Sequence, residues 1–435
     1  MRSYMLLYRH SVRFYSDRDL RRLLCRARSY RPTAELVGFP SIREKKFSTI
    51  PGLFFADDLV LMATKWKDME ALLEVVSKFG DDRSIKFNPK KSGAMVFSQP
   101  TATNILDRDL CIQGLQIPLV ESYKYLGLEL SAEKDYLAQQ WVKLTETAKK
   151  AIQRLNARTL WSFNRFEVSK ILWKATAVPQ LTYCNSVITM PRRLRNLVDV
   201  RQRDAGRWAL GIPHSTVSKE FIEGELGWSS FDARETTSKT MYFERIKQMD
   251  QTRWPKLVLT ATEITNAKLT AIERLKQLRL QFQVEDLELS RTTSGSPLWN
   301  TFRKQLKERV PDKLDSTWKR NMESKSTLGV YRQFKVTRGL KTNIYDNSRG
   351  SRLLALTRAG MLNTRSRQNS RDPSIDIACP KCGAPETDKH VVLECEEGKF
   401  TQQEYPRRLG LHPESEPKDL GKAKDTLTRW ENYEN

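Results

Sequence analysis

The chain has 435 residues, with 75 Lys and Arg against 52 Asp and Glu, so its formal net charge is +23. Hydrophobic residues make up 39% of the sequence, which is enough for packed cores and excludes a wholly disordered protein. No apolar run approaches the roughly 18–20 residues that span a bilayer, which excludes an integral membrane protein. The charge indicates a polyanionic partner, nucleic acid rather than lipid headgroups, although a merely soluble basic protein has the same composition.

The positive charge is unevenly distributed along the chain. Residues 54–135 contain 10 basic and 13 acidic side chains, whereas residues 1–53 contain 12 basic and 4 acidic ones. Residues 301–372 contain 18 basic and 6 acidic side chains. A slightly acidic segment is therefore embedded in a strongly basic chain.

The acidic segment has the pattern of an α+β fold. Two short apolar runs flank Asp57 and Asp58, which predicts a β-hairpin over residues 53–63. An amphipathic helix is predicted over residues 67–79, and Gly80 is placed to end it. Further strands are predicted over residues 85–88, 94–97, 111–120 and 123–130.

From residue 135 onward the pattern is helical. Apolar residues recur at three- and four-residue steps over residues 135–158, whereas Lys143, Lys150 and Arg154 lie off that stripe and face water or phosphate. Further helices are predicted over residues 165–178, 194–210, 230–249 and 262–280. Four tryptophans in or beside these helices are predicted to be core residues, namely Trp141, Trp161, Trp173 and Trp208.

The pair Asp57 and Asp58 has two interpretations. Acids are common in turns, and a solvated, inert pair is the simpler one. A hairpin tip can also hold carboxylates rigidly toward Mg²⁺, which takes one or two carboxylates together with substrate phosphates. Two such ions about 3.5–4 Å apart activate the attacking oxygen and stabilise the leaving oxygen in phosphoryl transfer.

Three motifs follow one another in this segment: Phe55-Ala56-Asp57-Asp58, then Asn88-Pro89-Lys90-Lys91-Ser92, then Tyr125-Leu126-Gly127. In this order they resemble the second half of the palm in reverse transcriptases of non-LTR (LINE-type) retrotransposons. The resemblance implies that Asp57 is a direct Mg²⁺ ligand and Asp58 an auxiliary one, and that Lys91 is a catalytic proton donor to pyrophosphate. It also implies that Tyr125, Leu126 and Gly127 form the primer grip. The following helices would be the thumb, whose Lys143, Lys150 and Arg154 contact the phosphates of an RNA template and a DNA primer or target.

The chain departs from the family pattern before residue 53. The family has an earlier Asp box that supplies the other metal ligand, followed by a Gln-Gly loop that positions the nucleotide. Asp17 and Asp19 are the only aspartates before residue 53, they lie in a polar segment, and no Gln-Gly pair occurs there. We therefore expect an N-terminally truncated polymerase that does not extend DNA alone and whose missing half of the palm a partner would have to supply.

The C-terminal region contains a C-x2-C-x7-H-x4-C cluster of Cys379, Cys382, His390 and Cys395. This set suits tetrahedral Zn²⁺, with unligated thiols as the alternative. The spacing resembles the knuckle at the C-terminus of LINE-type proteins. Basic residues around it indicate nucleic-acid contact, namely Arg365, Arg367, Arg371, Lys381 and Lys389. No aromatic residue lies between the ligands, which argues against base stacking and leaves a purely structural zinc as the alternative role.

These observations predict an α+β fold: a partial palm, a mainly helical thumb and C-terminal region, and a small zinc knuckle. The predicted segments are a basic N-terminal segment (1–36), the partial palm (37–132), the thumb (133–289), a basic linker and helical region (290–372), the knuckle (373–400) and a polar tail (401–435). The expected function is that of a reverse-transcriptase fragment that binds RNA and DNA and uses Zn²⁺ and Mg²⁺. The alternative is a non-catalytic zinc-knuckle protein of transposon origin. Isolated cysteines indicate an intracellular location, and the resemblance implies the nucleus; the sequence does not indicate an oligomeric state.

Overall fold

The structure is a computed structural model that describes residues 3–9, 39–40, 47–48, 52–55, 57–63, 65–97, 109–213, 217–265, 269–289, 296–340, 342–393 and 404–434. The chain divides into two compact units. The first unit comprises residues 1–144 and 249–268, and the second comprises residues 145–248 and 269–435. The predicted boundary between palm and thumb lay between residues 132 and 133, and the prediction did not include the return of residues 249–268 to the first unit.

The strands lie in the first unit. They are β1 (Ser3–Arg9), β2 (Phe39–Pro40), β3 (Phe47–Ser48), β4 (Gly52–Phe55), β5 (Asp58–Ala63), β6 (Ser92–Phe97), β7 (Leu110–Ile112), β8 (Leu115–Ile117), β9 (Ser122–Tyr125) and β10 (Leu128–Ser131). The first unit also contains helix α1 (Trp66–Asp82) and a 3₁₀ turn at Pro89–Lys91. The predicted hairpin over residues 53–63 and the strand at 94–97 are confirmed. The two single strands predicted over residues 111–120 and 123–130 are instead two hairpins, in which β7 pairs with β8 and β9 pairs with β10.

A four-stranded antiparallel sheet forms the centre of the first unit, in the order β4-β5-β1-β6. Leu6 of β1 pairs with Leu61 of β5 on one side and with Ala94 of β6 on the other. Since β5 and β6 are both antiparallel to β1, they are parallel to each other, and α1 connects them as in a split β-α-β unit. We did not predict β1, and it occupies the central position beside β5.

Both faces of this sheet are covered within the first unit. Alternate residues of β5, Leu59 and Leu61, pack with the apolar stripe of α1. The intervening Val60 and Met62 pack on the other face with Tyr125 and Leu130 of the β9–β10 hairpin. Asp58 belongs by alternation to this second face, which places the hairpin on the same side of the sheet as the acidic pair.

Two local predictions in the first unit are wrong. Gly80 does not end α1, which continues to Asp82. Instead, the lack of a side chain at Gly80 lets Phe87 approach the helix, since a Cβ there would lie 2.7 Å from the ring of Phe87. Residues 85–88 form no strand, because the Gln113 side chain replaces a neighbouring strand. Its amide accepts a hydrogen bond from Phe87 N (2.9 Å) and donates one to the carbonyl of Ile85 (2.8 Å).

The remaining helices are α2 (Ala138–Thr159), α3 (Arg165–Leu172), α4 (Val178–Leu181), α5 (Arg192–Leu210), α6 (Lys219–Leu226), α7 (Phe231–Lys247), α8 (Trp254–Thr265), α9 (Thr270–Phe282), α10 (Pro297–Glu323), α11 (Gly329–Phe334), α12 (Arg349–Arg358), α13 (Arg365–Asn369), α14 (Asp388–Val392), α15 (Glu404–Arg408) and α16 (Pro417–Glu434). The described part of the chain is thus mixed α and β with helices predominating, compatible with the predicted α+β class. None of these helices combines the length and the apolar content that crossing a bilayer requires.

Several helix predictions need correction. The continuous helix predicted over residues 262–280 is instead the end of α8 and most of α9, and β-branched Ile264 and Thr265 lower the helix propensity where α8 ends. The predicted polar tail contains α15 and α16, and α16 buries Ala423 and Leu427 completely, four residues apart on one face. The predicted linker over residues 290–297 lies mostly outside the described residues.

One of the four predicted core tryptophans is also wrong. Trp173 is fully buried, and Trp141 and Trp208 are half-buried. Trp161 is 90% exposed, because α2 ends at Thr159 and Trp161 lies in the loop that follows.

Candidate metal centres and nucleic-acid surface

The acidic pair lies at the tip of the β4–β5 hairpin. Phe55 pairs with Asp58, so the turn between the strands contains only two residues, of which Asp57 is described. Both carboxylates are half-buried, and Asp58 is the first residue of β5. The hairpin thus presents two carboxylates at one end of the sheet.

The strand beside the acidic pair is β1, which contains no carboxylate. The register of β1 places Arg9 opposite Asp58 and Tyr8 opposite Ser92. The sequence of β1 contains neither Asp nor Glu. Lys91 immediately precedes Ser92, so its backbone lies at the same end of the sheet, about 10 Å from that of Asp58 across two strand spacings.

The backbone around Lys91 is fixed by three hydrogen bonds. Asn88 Oδ1 accepts from Lys90 N at 3.0 Å, and the Ser92 hydroxyl donates to the Asn88 carbonyl at 2.9 Å. The Tyr123 hydroxyl donates to the Lys91 carbonyl at 2.5 Å. The Lys91 side chain itself is exposed.

The predicted primer-grip residues lie in the β9–β10 hairpin. Leu126 and Gly127 form its two-residue turn, and their φ angles of 45° and 86° are those of a type I′ turn. Burial, and then the negative charge of Asp58, raise the pKa of the Tyr125 hydroxyl. The structure therefore brings Tyr125 close enough to the acidic pair for the two groups to interact electrostatically.

The acidic hairpin fits one Mg²⁺ ion but not, from its own strands, a pair. One ion needs only one or two carboxylates with waters and phosphates, which Asp57 and Asp58 can supply. A two-metal centre needs carboxylates on both sides of the reacting phosphate. Neither β1 nor β6 contains an acidic residue, and the residue opposite Asp58 is Arg9.

A tight loop places the two described cysteines of the C-terminal cluster. Gly383 N donates to the Cys379 carbonyl at 2.9 Å, and Cys379 N donates to the Ala384 carbonyl at 2.8 Å. Gly383 has a φ of 74°, a conformation that glycine adopts without strain. This turn brings Cys382 back beside Cys379.

Helix α14 supplies the histidine. Its N-cap Thr387 accepts a hydrogen bond from His390 N at 3.2 Å. The ligand atoms of Cys379, Cys382 and His390 all lie within 4.8 Å of one another, and Cys382 Sγ is 3.5 Å from His390 Nε2. The structure thus gathers three of the four predicted zinc ligands.

This group fits a zinc ion. With Zn–S and Zn–N bonds of about 2.3 and 2.0 Å, tetrahedral ligands lie roughly 3.3–3.8 Å apart, close to the observed spacing. The group can therefore hold a metal ion, and Zn²⁺ is the ion that two thiolates and an imidazole favour. Cys395 lies outside the described residues, so its role as the fourth ligand stays a prediction.

The predicted phosphate-contacting residues of α2 differ in their partners. Lys143 pairs with Glu129 at 2.9 Å, and Lys150 pairs with Glu146 at 3.3 Å. Arg154 is exposed and has no ion-pair partner among the described residues.

The basic residues around the cysteine loop also differ. Three are exposed: Arg371, Lys381 and Lys389. Arg365 is half-buried, and its backbone N–H donates to the carboxylate of Glu386 at 2.9 Å. The Arg367 guanidinium donates to the Gly360 carbonyl at 2.6 Å, and its pKa is lowered by burial and by Arg371. Arg367 is therefore engaged within the protein.

A basic groove in the second unit was not predicted from the sequence. It encloses about 460 Å³, and its lining includes Arg234, Arg303 and Lys307 but no acidic residue. Arg234 also acts on Lys174, whose pKa is lowered by burial and by the charges of Lys170 and Arg234. Like charges have accumulated here, which favours an anionic ligand. The basic lining residues come from α7 and α10, so only the fold brings them together.

A buried charge network was also missed. Glu225 is fully buried, and it accepts hydrogen bonds from Tyr331 (2.7 Å), Tyr345 (2.5 Å) and Arg358 (2.9 Å). Burial raises the pKa of Glu225, but the charges of Arg358 and Lys335, followed by the hydrogen bonds from Arg358 and Tyr345, keep it below its ordinary value. The network ties α6, α11 and α12 together and fixes the segment around Tyr345.

No protein-family model matches the chain, and a search of curated proteins finds no match.

Proposed function

We propose that this chain is the palm-and-thumb portion of a LINE-type reverse transcriptase and acts as a nucleic-acid-binding protein. The single observation that carries the proposal is the assembly of the first unit around the acidic hairpin. The Asp57–Asp58 tip, the Lys91 turn and the Tyr125 hairpin come from three separate motifs, yet they lie at one end or on one face of a single sheet. If Asp57 and Asp58 were only an inert turn, nothing would explain why the three motifs lie together.

Polymerisation is not part of the proposed function of this chain alone. Phosphoryl transfer needs metal ions held from both sides, and catalysis there consists mostly of positioning and electrostatic stabilisation. The strand beside Asp58 carries Arg9 where a second carboxylate would be useful. Because β1 already occupies the place next to β5, a partner strand would have to displace it to complete the site.

The proposed ligand is RNA or DNA, held through its phosphates. The basic groove around Arg234 and the exposed Arg154 both lie in the second unit, where the chain is most strongly basic. A zinc ion at Cys379, Cys382 and His390 would hold the cysteine loop, with the exposed Lys381, against α14, with the exposed Lys389. We place such a protein in the nucleus, where its nucleic-acid ligands are found.

A second candidate function is a non-catalytic zinc-knuckle adaptor of transposon origin. The observation that favours it is the lack, among the described residues, of further carboxylates and free bases beside the acidic pair: neither β1 nor β6 contains an acidic residue, and Lys143 pairs with Glu129. In that case the acidic hairpin is only a structural turn, and nucleic-acid binding depends on the second unit alone.

The salt dependence of binding tests the proposal. We expect filter binding of a single-stranded RNA to show a steep negative slope of log K against log [salt]. Arg154 and Arg158 lie one helical turn apart and are exposed. The double variant R154Q/R158Q should reduce the slope by about 1.4, because each phosphate contact to a single strand contributes about 0.7.

The matched control removes two other exposed bases of the second unit, Lys276 and Lys319. The variant K276Q/K319Q changes the net charge equally and should leave the slope within a few tenths of the wild-type value. Wild-type protein that does not bind RNA at low salt, or equal slopes for the two double variants, would contradict the proposed contact surface.

A further inference from the structure

The loop between α2 and α3 exposes two large aromatic side chains. Trp161 and Phe163 are each 90% exposed, and Leu160 beside them is 53% exposed. Aromatic side chains of this size bury roughly 150–250 Å² each in ordinary cores. Two such side chains exposed to water within three residues form an apolar surface, which is typical of a binding site.

The backbone of this loop is held firmly while the rings project. The Asn347 amide donates to the Ser162 carbonyl at 2.7 Å, and Asn347 Oδ1 accepts from Arg165 N at 2.8 Å. The Asn164 amide donates to the Tyr345 carbonyl at 3.0 Å, while its oxygen caps α3 by accepting from Glu167 N at 3.0 Å. These hydrogen bonds fix the backbone of the loop from which the two exposed rings project.

The anchor itself belongs to the buried core. Tyr345 is 3% exposed, its ring contacts Phe166 with centroids 5.0 Å apart, and its hydroxyl donates to the buried Glu225 carboxylate. The exposure of Trp161 and Phe163 is therefore set by the packed second unit. A preorganised aromatic surface loses little conformational entropy when it binds a ligand.

The charge around the loop selects the class of occupant. Residues 154–165 contain three arginines and no acidic residue. Arg154 and Arg158 are exposed one turn apart on the last two turns of α2, and neither has an ion-pair partner among the described residues. Aromatic rings beside a cationic surface are the combination that binds unpaired nucleic acid, with bases stacked on the rings and phosphates on the cations. A purely apolar protein partner would leave the arginines without a role.

We propose that Trp161 and Phe163 form a stacking platform for the unpaired bases of single-stranded RNA or DNA, with Arg154 and Arg158 holding the adjoining phosphates. This inference rests on the proposed nucleic-acid-binding function and specifies which part of the ligand the loop recognises. It assigns base stacking to this loop, whereas the cysteine loop contains no aromatic residue to perform it.

The experiment compares two strands of equal charge by fluorescence anisotropy: a 12-nucleotide oligo(U) and an abasic phosphodiester of the same length. The variants are W161A/F163A and W161F, which retains a ring. We expect W161A/F163A to bind oligo(U) at least tenfold more weakly, with the affinity for the abasic strand and the salt slope unchanged. W161F should keep most of the wild-type affinity.

Control measurements separate stacking from misfolding. Val336 is an apolar residue that is 64% exposed, so V336A tests whether removal of any exposed apolar side chain weakens binding. Its affinity should equal that of the wild type, and all variants should keep the wild-type melting temperature.

The outcomes separate this inference from the proposed function. If the wild type and W161A/F163A bind oligo(U) with equal affinity, the stacking platform is overturned and the rings serve another partner. Nucleic-acid binding by the protein would still stand. Wild-type protein that binds neither strand overturns both. An equal loss for both strands would overturn the platform too, because it would show a contribution to phosphate binding only.

Discussion

Leu126 shows how a single residue can be at odds with its backbone. It occupies the first central position of a type I′ turn with a φ of 45°, which costs a residue with a bulky side chain about 1–2 kcal/mol. It is 37% exposed and so contributes limited packing. Asn before Gly is the preferred pair for this turn. We therefore expect Leu126→Asn to raise the free energy of unfolding by about 0.5–1 kcal/mol in urea denaturation.

Leu119 provides the matched control for this substitution. It is 40% exposed in the same unit, and its φ is not positive. Leu119→Asn should therefore give no gain in stability. A lower stability of Leu126→Asn would contradict this prediction. It would show that the Leu126 side chain packs more strongly than its exposure indicates and that this packing stabilises the turn.

Single residues were the hardest level to predict from the sequence. Asp57, Lys91 and Tyr125 could be identified because each belongs to a short motif. Gly80 was recognised as special, but its close approach to Phe87 depends on a side chain that only the fold brings near. The same holds for Gln113, whose amide replaces a strand. Trp161 lies two residues beyond the end of α2, where helical spacing no longer indicates which side chains are buried.

At the scale of elements, the cysteine loop and α14 form the most testable unit. Three ligands from these two elements converge within 4.8 Å. We expect purified protein to carry one zinc ion per chain, released by chelator and measured colorimetrically. Cys382→Ser should lose most of this zinc and lower the melting temperature, because metal binding is coupled to folding of the loop.

Cys111 offers a matched control, since it is exposed like Cys382 but isolated from other ligands in the sequence. Cys111→Ser should retain the full zinc content. Cys395→Ser should resemble Cys382→Ser if Cys395 is the fourth ligand. Full zinc retention in Cys382→Ser would contradict the metal centre.

Elements of strong periodicity were predicted well, and those that depend on distant partners were not. Helices α1, α2 and α5 and the hairpin at residues 53–63 follow from apolar spacing alone. Strand β1 was not predicted, because its stability comes from pairing with β5 and β6, which are far away in sequence. Helix α16 was taken for a polar tail because its buried stripe is narrow.

At the scale of the whole molecule, acidic and basic residues are concentrated in different parts of the chain, which matches the proposed metal-binding hairpin and the proposed nucleic-acid surface. The acidic segment contains the hairpin with Asp57 and Asp58, and the basic excess lies mostly in the second unit, with the groove around Arg234 and the loop after Arg158. Sequence composition predicted an anionic partner. It could not predict the groove, because its basic residues lie on helices that are far apart in sequence.

The central claim is that this chain binds nucleic acid without extending it. The direct measurement is primer extension on an RNA template with Mg²⁺ and all four deoxynucleotides, at protein concentrations that saturate filter binding. We expect a saturated complex without extension, because neither β1 nor β6 supplies a carboxylate for a second metal ion. Binding should be unchanged in Asp57→Asn, because the proposed phosphate contacts lie in the second unit. Extension by the wild-type chain that disappears in Asp57→Asn would contradict the central claim.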